Sequence, residues 1–205
     1  FDELTANTDP KLLGQWLAPR LIGDFEEKWH WMRARPDAFN LDAQANVLFN
    51  RASDLPNSDE TRQAFSEASS DLPTGKRNLK LEQALQMLVH FQSALTDPEP
   101  LRQWIDSMDH PQLQSAGLKA GAEAFLRVGD AAEAAPFVAA MSPGPTRDEF
   151  AARVAGEITH DPRLALQWAR SIEDEAQRET AVRNVSNLFS VQDFHLALKQ
   201  LEDES

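Results

Sequence analysis

The chain has no cysteine and no tyrosine among its 205 residues, and only 8 glycines. Without cysteine there can be no disulfide, no thiolate metal centre and no cysteine nucleophile. The compartment stays open, because cysteine-free chains suit exported proteins and short cytosolic domains alike. The lack of tyrosine, together with the absence of β-branched runs, removes the usual material of strands. No apolar run approaches the roughly 18 residues that span a bilayer, so membrane insertion is not expected. Excess positive charge is missing too: 33 acidic side chains against 20 basic ones give a net charge of −13. Such a surface repels phosphate backbones and anionic headgroups, which argues against nucleic acid and anionic membranes as partners. The acidic excess is uneven, with 14 acidic and 10 basic side chains in residues 1–96 and 19 and 10 in residues 97–205.

Recognisable catalytic motifs are equally scarce. A glycine-rich phosphate loop, a serine nucleophile elbow, histidines four apart on a helix and a dinucleotide fingerprint are all lacking, so no catalytic residue, cofactor or metal is assigned. Glu27 with His30 and Glu157 with His160 share the Glu-x-x-His spacing that di-iron bundles place on one helical face. Those bundles need two further glutamates on other long helices, and surface positions or compensation of the helix dipole account better for the two pairs. Glu123, between Ala122 and Ala124, is the one candidate for an acid of raised pKa; a place on the solvent face of its helix is the simpler reading.

What the chain does have is a repeat. Asp97, Asp130 and Asp161 open copies about 32 residues long, and Asp193 opens a fourth that is cut short. Four residues after each Asp stand Leu101, Ala134 and Ala165; seven after, Trp104, Phe137 and Trp168; eleven after, Met108, Met141 and Ile172. Those offsets make one helical stripe. A second stripe runs through Leu118, Ala151 and Val182, then Gly121, Val154 and Val185, then Phe125, Ile158 and Phe189. Each copy is therefore an amphipathic helical hairpin, and a period of this length marks a solenoid. Helices are predicted over about 97–108, 112–128, 131–141, 146–159, 162–172, 175–190 and 193–201.

Asp9-Pro10, Asp97-Pro98 and Asp161-Pro162 each pair a capping residue with proline at the first helical position, and each is followed by Gln-Trp at the same offset. Asp9 thus opens an older, diverged copy, and Trp16, Trp104 and Trp168 read as core anchors of their copies. Helices are also expected over about 21–33, from a cap at Asn40 to about Ala52, over about 58–69 with Asn57 and Glu60 at capping-box spacing, and from Arg77 onward. Trp29, His30, Trp31 and Met32 stand in a row, so they cannot all face one core. Trp29 and Met32 are expected to point inward and Trp31 to be half-covered; an aromatic patch of Trp29 and Trp31 for a partner is the alternative. Arg77, Arg147 and Arg178 hold one position in successive units, which predicts a ladder along one face. Bonds to carbonyls or carboxylates of adjoining hairpins are the expected role; a clamp for an acidic peptide is the alternative.

A tandem of such hairpins, with a large aromatic in the first helix and small residues where helices cross, resembles the tetratricopeptide-like and HEAT-like α-solenoids. The resemblance implies an all-α, right-handed superhelical stack of antiparallel hairpins: diverged hairpins over 1–96, regular ones over 97–192, and a capping helix with an acidic tail over 193–205. It further implies a scaffold that binds a peptide or partner protein, with self-association of copies also compatible. A helical accessory or catalytic segment of a polysaccharide-acting enzyme is the reading from a different class.

Overall fold

The structure is a computed structural model that describes residues 25–54, 59–93 and 97–203. The expected copy around Asp9 and Trp16, the start of the helix predicted from 21, the Asn57 cap and the last two residues lie outside this set. Among the described residues there are eleven helices and no strand. In chain order they are α1 (Phe25–Arg33), α2 (Leu41–Asp54), α3 (Asp59–Ser70), α4 (Leu79–Ser93), α5 (Pro98–Asp106), α6 (Pro111–Arg127), α7 (Ala131–Ala140), α8 (Pro145–Glu157), α9 (Pro162–Arg170), α10 (Glu175–Leu188) and α11 (Val191–Asp203). No helix among them is long and apolar enough to cross a membrane.

The chain divides into two compact units, one of residues 1–97 with 103–117 and one of residues 98–102 with 118–205. In the first, α2 packs on α4 and on α3, and α3 also meets α1. Buried Ala45, Leu48 and Ala52 of α2 and Leu81, Ala84, Leu85 and Leu88 of α4 supply its core. Small side chains on α2 let the helix axes approach closely. Asn40 caps α2 by accepting a 3.0 Å bond from the Ala43 N–H. Phe49, one residue beyond Leu48, is 37% exposed. The next helix begins at Leu79 and not at Arg77, because Asn78 accepts from the Leu81 N–H at 2.9 Å and so fixes its first turn.

In the second unit α8 packs against α7, α9 and α10, and α9 packs against α10 and α11. The starts of its helices follow the capping rule. Asp130, Asp161 and Asp174 accept bonds from the N–H groups of Glu133, Leu164 and Gln177. Gly129, with φ of 78°, ends α6 by letting the Asp130 N–H turn back to the Phe125 carbonyl. The last helix departs from expectation. It starts at Val191 and is capped by Ser190, whose hydroxyl donates to the Asp193 carboxylate at 2.6 Å and accepts from the Asp193 N–H at 3.2 Å. Asp193 is thus inside the first turn, since a nearby Ser makes the reciprocal cap instead.

The aromatic residues at the seventh position of the three copies differ in depth. Phe137 is fully buried, tilted against Phe125 at 5.4 Å and seated over Gly121. Trp104, in the first unit, is half-buried; it meets Phe65 edge-on at 5.8 Å and donates its indole N–H to Ser66 at 3.4 Å. Trp168 is half-buried in the second unit.

Candidate functional site

A concave feature with convergent polar groups lies inside the first unit, between α1 and α3. Helix α1 contributes Phe25, Glu26, Trp29 and His30, and α3 contributes Glu60, Gln63, Ala64 and Glu67. Both sets follow helical geometry, with neighbours three or four residues apart standing one above another on the same face. Phe25 and Trp29 stack at 5.9 Å and 22°, forming an aromatic floor in which Trp29 is only 3% exposed. The Trp29 indole N–H donates to Glu67 at 2.7 Å, so the floor fixes one carboxylate. The Gln63 amide donates to the other oxygen of Glu67 at 3.3 Å.

Around this floor the rim is polar. Glu26, His30, Glu60 and Gln63 are exposed. The His30 Nδ1 lies 2.8 Å from the Glu26 carbonyl oxygen, which can only accept, so Nδ1 donates in this contact. Arg33 holds the two helices together behind the cleft. It donates to the Glu67 carbonyl at 3.1 Å, to Gln44 at 3.3 Å and to the Asp71 carboxylate. The cavity measures about 70 Å³, room for roughly five water-sized groups. That suits the head of one side chain.

The residues predicted from the sequence fall in different places. Trp29 is in the cleft floor, and Met32 is fully buried beside it in α1. Trp31 is half-buried on another face, with the Arg35 guanidinium 4.2 Å above its ring and Phe39 edge-on at 5.4 Å. The two tryptophans therefore do not form one patch. Arg77 bonds Glu82 through two nitrogens, at 2.7 and 2.8 Å; this hydrogen-bonded carboxylate raises the Arg77 pKa above its ordinary value.

Arg147 and Arg178 converge on one turn. The Arg147 guanidinium donates to the Ser171 carbonyl at 2.9 Å, and that of Arg178 to the Ile172 and Glu173 carbonyls at 3.0 and 3.1 Å. Asp148, which the sequence reading passed over, completes the clamp from the other polarity. Its buried carboxylate accepts from the N–H groups of Glu173 and Asp174 at 3.1 and 3.0 Å. The turn between α9 and α10 thus has its carbonyls held by two guanidiniums and its N–H groups by a carboxylate.

The acidic lining of the cleft also escaped the sequence reading. Its one local signal is the polar stripe Glu60, Gln63 and Glu67 on α3; the partner helix is more than twenty residues away in sequence. Glu123 is exposed on α6, as are Glu157 and His160, and no cluster of three or more His, Asp or Glu side chains that could hold a metal occurs among the described residues. Compared with known proteins, the chain matches no family model, no curated protein and no solved structure.

Proposed function

We propose that this chain is a non-enzymatic interaction module, a right-handed stack of tetratricopeptide-like or HEAT-like helical hairpins that binds a basic segment of a partner protein. The observation that carries this reading is the cleft between α1 and α3, where an aromatic floor is ringed by the carboxylates of Glu26, Glu60 and Glu67. A cationic head at its mouth meets the exposed Glu26 and Glu60, charge that favours Arg and Lys. The repeated apolar stripes of residues 97–193 support a stacked architecture, and stacked hairpins present extended surfaces for peptides. The acidic-peptide clamp loses its support, since the guanidiniums of Arg147 and Arg178 are engaged by backbone carbonyls and that of Arg77 by Glu82.

The test is fluorescence anisotropy with arginine-rich, glutamate-rich and neutral peptides of equal length. Binding of the arginine-rich peptide alone, weakened about tenfold or more in the double variant Glu26→Gln, Glu60→Gln and weakened further by salt, is the expected result. Equal binding of all three peptides, or none, rejects the reading. Stabilisation by oligosaccharides in a thermal shift would favour the polysaccharide-enzyme alternative in its place.

A further inference from the structure

Glu67 is the fixed point of the cleft between α1 and α3. One of its carboxylate oxygens accepts from the Trp29 indole N–H at 2.7 Å, and the other accepts from the Gln63 amide at 3.3 Å. Arg33 holds the same residue from behind, with its Nε 3.9 Å from the carboxylate and a terminal nitrogen donating to the Glu67 carbonyl at 3.1 Å. An ionised carboxylate accepts and does not donate, so Gln63 turns its NH₂ group toward Glu67. The Gln63 carbonyl oxygen is then left to accept from a ligand, on an exposed residue of the cleft lining. Glu60, one turn earlier on α3, and Glu26 on α1 are exposed parts of the same lining. The mouth therefore offers acceptors of two kinds from two helices: carboxylates that carry charge and an amide oxygen that carries none.

We propose that Gln63 makes this cleft selective for arginine over lysine in the basic segment it binds. The proposal rests on the basic-segment reading above and adds which side chain is read. Charge alone does not separate the two heads, because Glu26 and Glu60 attract either cation. Hydrogen-bond geometry does. A guanidinium spreads five N–H groups around a plane, so it can bond a carboxylate on one edge and the Gln63 oxygen on another. An ammonium carries three donors on one atom and is more strongly hydrated, so a neutral acceptor compensates it less for the water it gives up. Since Glu67 anchors the Gln63 amide before any ligand arrives, little ordering remains to be done on binding.

Fluorescence anisotropy on the full chain tests it with three peptides: one rich in arginine, one with every arginine replaced by lysine, and one with every arginine dimethylated, which keeps the charge and blocks the paired hydrogen bonds. The arginine-rich peptide should bind about tenfold tighter than the lysine-rich one, and the dimethylated peptide should fall to the lysine level. Gln63→Leu, which removes the oxygen and leaves the carboxylates in place, should weaken arginine-rich binding about tenfold, with lysine-rich binding and helical circular dichroism unchanged. Equal affinity of the unmodified chain for the arginine-rich and lysine-rich peptides overturns the selectivity and leaves the basic-segment reading standing, whereas binding of neither overturns both. A Gln63→Leu chain that loses the two peptides alike assigns Gln63 to the structure of α3 and also overturns the proposal.

Discussion

At the scale of single residues, a few positions fix the backbone of the second unit. Asp148 is the most consequential, because its buried carboxylate accepts from two backbone N–H groups at once. Replacing Asp148 with alanine should cost about 2–4 kcal/mol in urea denaturation, and Arg147→Ala about 1 kcal/mol, with a double variant less than additive because both act on one turn. Gly121 is fixed by space. A Cβ there would lie 2.4 Å from Cδ1 of Phe137, so Gly121→Ala should destabilise by about 1–3 kcal/mol and be partly rescued by Phe137→Leu. The sequence made Gly121 legible as a small residue within an apolar stripe. Asp148 was not legible, since a charged residue in the first turn of a helix normally reads as a solvated dipole partner.

At the scale of elements, the helices were read well wherever a cap residue and a stripe coincided. Asp130 and Asp161 both mark starts that the structure places within a residue of expectation. Misreading occurred where a capping residue was overlooked. Ser190 takes α11 from Asp193, and Asn78 caps α4 after Arg77, where the helix was expected to begin. Ser190→Ala should therefore fray α11, costing about 1 kcal/mol and raising hydrogen exchange over residues 191–195, while the amides of α2 and α4 keep their protection. The position of Arg178 was legible as a repeat feature, but its direction was not: the offset fixes the helix turn on which a guanidinium starts, and rotamers decide which carbonyl it reaches.

At the scale of the whole molecule, helices without strands among the described residues follow from what is missing as much as from what repeats: no tyrosine and no β-branched runs. The cleft was illegible because it joins α1 to α3 across a long stretch of chain, and no local spacing reports which two polar faces will meet. Its predicted chemistry, a cationic head against the Glu26 and Glu60 carboxylates, is open to direct observation. The decisive measurement is a heteronuclear NMR titration of the full chain with an arginine-rich peptide. The reading predicts that the Trp29 indole N–H, which donates to Glu67, and the backbone amides of Glu60, Gln63 and Glu67 shift together and saturate at one peptide per chain. An indole signal that stays in place while other amides move, or a spectrum that does not change, would contradict it.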